Sequence, residues 1–109
     1  MNKLNDTKEV KFHIGQIIQH KLFDYRGVVL DVDSEFAGSE QWYSAVARSK
    51  PPKDKPWYHV LPEGADHYTY VAERNLEKDD TGKPINNPAV GMFFSDFKDG
   101  SYITNKGFN

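Results

Sequence analysis

Trp57-Tyr58-His59-Val60-Leu61 is the most strand-like run of this chain, and Tyr68-Thr69-Tyr70-Val71-Ala72 has the same character a few residues later. Both runs consist largely of aromatic and β-branched residues, which are typical of strands. Between them, Pro62-Glu63-Gly64-Ala65-Asp66 contains the proline and the glycine that favour a turn. We therefore expect the two runs, with His67 opening the second, to form an antiparallel hairpin.

The register of this hairpin sets which side chains share a face. We expect Tyr58 to oppose Tyr70, which places His59 opposite Thr69 on the other face. In this register Tyr58, Tyr68 and Tyr70 share one face of the sheet. A slip of one residue would reverse these assignments, because side chains alternate along a strand.

An earlier hairpin is expected from Phe12–His20 and Val28–Asp33. Gly27, just before the second strand, is expected to supply a positive φ or a bulge where the chain reverses. Apolar and acidic residues alternate in that second strand, so its valines and leucine should face the core while Asp31 and Asp33 face water.

A short helix is expected between the hairpins, over residues 39–48. Ser39 is a suitable N-cap, and Glu40 places a negative charge in the first turn. Trp42 and Val46 lie four residues apart and can cover one helical face. We expect this helix to cover one opening of the β structure.

The end of the chain is rich in phenylalanine. Phe93, Phe94 and Phe97 fall within five positions and are too apolar to remain in water. We expect a short amphipathic helix ending near Asp99-Gly100, packed on the β domain or on a second subunit. Self-association through these three rings is therefore predicted.

Composition limits the classes of function. The 109 residues suffice for one domain, and an aromatic fraction of 14% predicts a core built partly from rings. A net charge of −2 disfavours non-specific binding to nucleic acid. Cysteine is absent, which excludes disulfides and thiol catalysis. With no secretory signal and no long apolar run, we expect a cytoplasmic protein.

No pattern of an enzyme is found. The four histidines have no spacing typical of a metal site, no serine lies in a nucleophile elbow, and no glycine-rich phosphate loop occurs. We therefore expect no catalytic residues, no metal and no cofactor.

The densest basic cluster lies between the helix and the central hairpin. It comprises Arg48, Lys50, Lys53 and Lys55, and Trp57 and Tyr58 follow directly. Cations beside exposed rings can contact phosphates and stack on bases, so these four residues are candidates for DNA binding. Alternatively, the lysines solvate a proline-rich loop and the rings belong to the core, since strand aromatics usually pack inward.

A partner-binding groove is the second candidate site. Its predicted residues are Trp57, Tyr58, Tyr70, Glu73 and Asn75. The alternative for the last two is structural. Glu73 and Asn75 would then cap the turn after the strand, with Asn75 in a left-handed conformation.

The order of these segments closely resembles one family, the heat-shock protein HspQ family, also called the YccV-like or hemimethylated-DNA-binding domain. The resemblance covers about residues 12 to 85 and rests on Gly15-Gln16, His20, Tyr25-Arg26-Gly27-Val28-Val29, Asp31-Val32-Asp33, Pro56-Trp57-Tyr58-His59-Val60-Leu61 and Tyr70-Val71-Ala72-Glu73-Arg74-Asn75-Leu76.

The resemblance implies a mainly β fold, a small SH3-like β barrel with one short helix and a C-terminal aromatic extension. The expected organisation is a disordered N-terminus (1–11), the barrel domain (12–85) and the extension (86–109). The resemblance also implies a non-catalytic heat-shock factor that promotes degradation of substrates by a Lon-type ATP-dependent protease, and that self-associates. The alternative is a module that recognises hemimethylated DNA and affects replication initiation or its regulators.

Overall fold

The computed structural model describes residues 9–47 and 49–104. Within these ranges the chain forms seven strands, two short helices and a 3₁₀ turn. In chain order they are β1 (Ile17–His20), β2 (Arg26–Asp33), α1 (Glu40–Val46), β3 (Trp57–Pro62), β4 (Thr69–Ala72), the 3₁₀ turn (Glu73–Asn75), β5 (Leu76–Lys78), α2 (Val90–Phe93), β6 (Phe94–Lys98) and β7 (Ser101–Thr104). The expected mainly β fold is confirmed.

Five strands form one antiparallel sheet in the order β4-β3-β2-β1-β5, and β6 and β7 form a separate hairpin. Strands β4 and β5 end the larger sheet and do not pair with each other, so the sheet is not a closed barrel. Across the described ranges, no helix is long and apolar enough to cross a membrane.

The register of the central hairpin differs by one residue from the expected one. His59 opposes Tyr70, and Tyr58 opposes Val71. Tyr58 therefore points into the core, on the opposite face from Tyr70, and the prediction that these tyrosines share a face was wrong. The connection between the two strands contains one residue more than the sequence pattern indicated, because Val60 pairs with Thr69 and not with Tyr68. Since side chains alternate along a strand, this shift of one residue moves the tyrosines to different faces.

Both faces of the sheet are buried. A first core comprises Phe12, Ile18, Val29, Tyr58, Val60, Val71 and Leu76. A second core on the other face comprises Ile17, Val28, Leu61, Ile85, Phe94 and Tyr102. Adjacent residues of β1, β2 and β3 thus alternate between two apolar environments, which explains the continuous hydrophobic runs in these strands.

A register shift interrupts β2 between Val29 and Asp31. Before it, Val28 faces the second core; after it, Val32 packs against the first core. The expected single apolar face of this strand was therefore wrong, because a bulge changes which side the following residues occupy.

The first strand is shorter than expected, and Phe12 precedes it as a buried residue outside the sheet. Gly15 has a φ of +92°, and a Cβ there would fall on the carbonyl of Tyr102. The backbone N–H of Tyr102 donates to the Gly15 carbonyl at 2.8 Å. Glycine at this position lets the C-terminal hairpin approach the main sheet closely.

Gly27 serves close packing, and the expectation of a positive φ there was wrong. A Cβ at Gly27 would lie 2.6 Å from Val60 Cγ1 and 2.9 Å from the Leu61 carbonyl oxygen. The positive φ of this turn belongs to Asp24, at 56°. Gly27 thus allows β2 to lie directly against β3.

The C-terminal segment is a hairpin, so the expected amphipathic helix was wrong apart from the four residues of α2. Asp99 and Gly100 form its turn with φ of 53° and 79°. Phe94 is 5% exposed and packs in the second core, whereas Phe93 remains 40% exposed. Phe97 follows a register shift in β6 and also packs against the second core, so Phe93 is the most exposed of the three rings.

Arg26 fastens the segment after β5 to the sheet. Its Nε donates to Asp79 Oδ1 at 3.0 Å, and its Nη1 donates to Glu63 at 3.1 Å. Burial pushes the pKa of Asp79 upward, but hydrogen bonds from Arg26 and Thr81 outweigh burial and hold that pKa below its usual value. The ion pair thereby positions the chain that leads to the C-terminal hairpin.

Candidate functional site

An aromatic cluster lies between helix α1 and the face of β3 and β4 that carries Trp57 and Tyr70. Its members are Phe36, Trp42, Tyr43, Trp57 and Tyr70. The Phe36 and Trp57 ring centroids are 4.8 Å apart, and those of Trp57 and Tyr70 are 5.2 Å apart. Edge-to-face and tilted pairs at these distances stabilise one another beyond their area of burial. The cluster therefore forms a rigid apolar surface on an outer face of the sheet.

Helix α1 is fixed at its N-terminus and at its middle. The Ser39 hydroxyl accepts a hydrogen bond from the Trp42 N–H at 3.0 Å, which confirms the predicted N-cap. The Tyr43 hydroxyl donates to the Pro51 carbonyl at 2.6 Å and ties the helix to the following loop. Trp42 is anchored within the cluster but stays 36% exposed, and Val46 is 50% exposed. The helix thus presents apolar side chains to solvent.

An aromatic groove of about 350 Å³ runs between α1 and the turn after β1. It is lined by His20, Leu22, Phe23, Trp42, Val46, Ala47, Ser49, Pro51, Trp57, Tyr70, Val71, Ala72 and Asn75. Two of these side chains project from the turn, Leu22 at 57% and Phe23 at 70% exposure. The lining is mainly apolar, so the groove suits an apolar side chain of a ligand.

His20 holds the turn that forms one wall of the groove. Its Nδ1 accepts hydrogen bonds from the N–H groups of Leu22 and Phe23, both at 3.1 Å. Burial lowers the pKa of His20, which favours the neutral ring that this double acceptor role requires. Its ring stacks on Phe23 with centroids 4.7 Å apart. From the sequence, His20 was expected only as a residue of the family resemblance and not as a metal ligand, so its role in this turn was missed. The available signal was the pair of apolar residues Leu22 and Phe23 that follows it.

A second depression, the acidic pocket, adjoins the groove and has a volume of about 370 Å³. It is lined by Asp33, Ala37, Gly38, Ser39, Trp42, His59 and Tyr70. The Tyr70 hydroxyl donates to Asp33 Oδ2 at 2.7 Å, and His59 Nε2 lies 3.1 Å from the same oxygen. Burial and the hydrogen bond to Asp33 raise the pKa of Tyr70. The expectation that Asp33 faces bulk water was wrong, because the bulge in β2 turns it toward these rings.

A family model described as "Hemimethylated DNA-binding protein YccV like" matches residues 10–101. The chain belongs to the YccV-like family. The match confirms the resemblance found in the sequence, and it extends from the segment before β1 into β7. Both the aromatic groove and the acidic pocket lie within the matched residues of this YccV-like domain.

Three of the five predicted groove residues line the aromatic groove of the YccV-like domain, namely Trp57, Tyr70 and Asn75. Tyr58 lies in the first core instead, and Glu73 accepts a hydrogen bond from its hydroxyl. Asn75 lies in the 3₁₀ turn with a negative φ, so the left-handed conformation considered for it was wrong. The structure thus brings together the residues on the outer face of the hairpin and separates those on the inner face.

Two of the lysines predicted to contact DNA, Lys50 and Lys53, lie beside the aromatic cluster, and Arg48 lies outside the described residues. Lys53 forms an ion pair with Glu40, and its Nζ lies 4.3 Å from the Tyr43 ring centroid. Lys50 Nζ lies 5.7 Å from the same centroid. Lys55 is exposed. The role of these residues in DNA binding stays a prediction.

Proposed function

We propose that this YccV-like chain is a non-catalytic, HspQ-like heat-shock factor. In this proposal it binds other proteins through the aromatic groove and promotes degradation of substrates by a Lon-type ATP-dependent protease. The observation that carries the proposal is the exposure of four apolar side chains around one groove, which are Leu22, Phe23, Trp42 and Val46. Contiguous apolar surface of this kind marks protein interaction sites.

The charge around the groove also favours a protein ligand over duplex DNA. The whole chain has a net charge of −2, and Lys53, the lysine nearest the cluster, is neutralised by Glu40. Duplex binding draws most of its affinity from cations placed along phosphates. Apolar side chains held by His20 and by helix α1 offer anchors for a protein segment instead.

The test is degradation of a substrate by the purified protease with and without this protein. Phe23→Ser should reduce the stimulation and the co-purification of protein partners, because it removes the most exposed wall of the groove. Tyr68→Ser is the matched control, since Tyr68 is 61% exposed and lines neither depression. The proposal is wrong if Phe23→Ser and the parent protein stimulate degradation equally.

A second candidate function is recognition of hemimethylated DNA, which affects replication initiation or its regulators. It is favoured by the description of the family and by the position of Lys50 and Lys53 beside rings that could stack on bases. The test compares hemimethylated, fully methylated and unmethylated duplexes over a range of salt. Affinity for the duplex should fall steeply as the salt concentration rises. The triple variant Lys50→Glu, Lys53→Glu and Lys55→Glu should not be retained on immobilised duplex. Retention of that variant would contradict the assignment of these lysines to DNA binding.

We also propose that the five-stranded sheet is bent into an SH3-like barrel. In a flat sheet, β4 and β5 would be separated by about 19 Å, four strand spacings. Yet the first core includes Val71 of β4 and Leu76 of β5, and the Tyr25 hydroxyl before β2 lies 2.8 Å from Thr69 Oγ1 of β4. A crystal structure would test the proposal through the curvature of the sheet.

A further inference from the structure

We propose that the acidic pocket receives the ammonium group of a lysine side chain from a protein bound in the aromatic groove. The inference rests on the proposed function that the chain binds proteins. It assigns a chemical preference to the bound segment: an apolar residue for the groove and a cationic residue beside it.

Aromatic rings form the walls of this pocket. Trp42 and Tyr70 lie with ring centroids 5.8 Å apart and planes inclined at 62°, and His59 packs 4.6 Å from Tyr70. Two walls at such an angle can each present a ring face to one guest. A cation within about 6 Å of a ring centroid is attracted by the negative face of the ring.

Asp33 supplies the negative charge. Its Oδ2 holds the Tyr70 hydroxyl, and because a carboxylate only accepts hydrogen bonds, His59 Nε2 must carry the proton directed at that oxygen. Among the described residues both bonds end on Oδ2. The Asp33 side chain is 28% exposed, so Oδ1 is available to accept from an ammonium group.

The same aromatic cluster already holds an ammonium group on another side. Lys53 Nζ lies 4.3 Å from the Tyr43 ring centroid and 6.0 Å from that of Phe36. Glu40 completes this arrangement as the carboxylate partner. Rings with a carboxylate beside them thus bind one lysine within the chain, and the acidic pocket repeats that combination with no lysine of the described chain in it.

The pocket adjoins the groove. Trp42 and Tyr70 line both. A segment bound in the groove therefore contacts two residues that also line the pocket, and we expect a neighbouring lysine of that segment to reach Asp33. Because the two depressions share these walls, we expect one ligand to carry both an apolar side chain and a lysine.

Three lysine-derived probes test the inference by tryptophan fluorescence or amide NMR shifts. They are Nα-acetyl-lysine methylamide, its Nε-trimethyl derivative, and a neutral analogue in which a tert-butyl group replaces the trimethylammonium. The wild-type chain should bind the trimethyl probe roughly three- to thirtyfold more tightly than its neutral analogue. Equal binding of the two cationic probes would identify an ordinary lysine as the ligand, and a preference for the trimethyl probe a methylated one; both outcomes support the inference.

Asp33→Asn should bring the affinity ratio of the trimethyl and neutral probes close to one. Asp80→Asn is the matched control, because it removes the same charge at an exposed position outside the pocket and should preserve the ratio. Should Asp33→Asn fail to fold, Trp42→Leu on the exposed face of α1 provides the same readout. The inference is overturned if the wild-type chain binds no cationic probe, or binds the neutral analogue as tightly.

A leucine-rich heptapeptide without lysine separates this inference from the proposed function. If Phe23→Ser abolishes binding of that peptide and Asp33→Asn does not, the proposed role of the groove is supported. This holds even if the probes show no preference for a cation. Absence of binding by both the peptide and the probes would overturn both proposals.

Discussion

The hydroxyl of Tyr58 donates a hydrogen bond to Glu73 Oε2 at 2.6 Å, from a side chain that is otherwise fully buried in the first core. The backbone N–H groups of Lys11 and Phe12 lie 3.2 and 3.3 Å from the same hydroxyl, and the Lys11 N–H also lies 3.0 Å from Glu73. Burial and the hydrogen bond to Glu73 raise the pKa of Tyr58. The pair therefore fastens the chain before β1 across the core.

Tyr58→Phe should lower the free energy of unfolding by about 1–3 kcal/mol, because it leaves the Phe12 N–H without its acceptor and removes one of the two hydrogen bonds to Glu73 Oε2. Urea denaturation measures this loss. Tyr68→Phe removes an equivalent hydroxyl from an exposed ring and should change stability by less than about 0.5 kcal/mol. Equal effects of the two substitutions would contradict the anchoring role.

Gly27→Ala should destabilise the fold by about 1–3 kcal/mol, since the added methyl group meets Val60 and the backbone of Leu61. Thermal and urea denaturation measure the effect. Gly91→Ala is the control, because a Cβ there has open space and its φ is not positive. That control should be neutral or slightly stabilising, and a destabilisation as large as that of Gly27→Ala would contradict the packing argument.

Because of His20, the free energy of unfolding should decrease as the pH is lowered below the ordinary pKa of histidine. Burial lowers its pKa in the folded chain from 6.5, so the unfolded chain binds the proton more readily. The stability of the neutral state is fully present above the unfolded pKa and declines as pH falls from there toward the lower folded pKa. Urea midpoints at closely spaced pH values measure this slope.

His20→Asn should flatten that slope, because the Asn carboxamide oxygen can accept from the Leu22 N–H without titrating in this range. An unchanged slope in the variant would assign the pH dependence to other groups.

Phe93 and Phe94 should behave differently when changed to serine. Phe94→Ser removes a buried ring from the second core and should cost about 3–5 kcal/mol of stability. Phe93→Ser removes a partly exposed ring that lies near Met92, which is 74% exposed. We predict that this exposed patch supports self-association, so Phe93→Ser should yield monomers of nearly native stability in light scattering at micromolar concentration. A parent protein that is monomeric at micromolar concentration would contradict the prediction of self-association.

The sequence was sufficient for features that depend on local chemistry. The central hairpin, the turn at Gly64 and the Ser39 cap each follow from residues that are neighbours in the chain. Aromatic and β-branched residues favour strands wherever they occur, and a serine side chain caps a helix within three residues. The family was recognisable for the same reason, because its matching segments are short and ordered.

The candidate site was predictable only in part. Trp57 and Tyr70 were expected in a groove and lie there, whereas Leu22 and Phe23 were not singled out. Their importance arises because His20 fixes the turn that brings them opposite helix α1. No sequence period relates these segments, since they converge only through the order of the strands.

The amino-acid sequence by itself determined the strands of the first two hairpins and the residue that caps helix α1, because propensity and capping act over a few residues. Only the tertiary structure decided which face each side chain occupies. A one-residue difference in register placed Tyr58 in the core and Tyr70 at the surface, and a bulge in β2 turned Asp33 toward the rings. Strand alternation converts so small a shift into a complete exchange of faces, and the energy that selects the register comes from packing between segments distant in the chain.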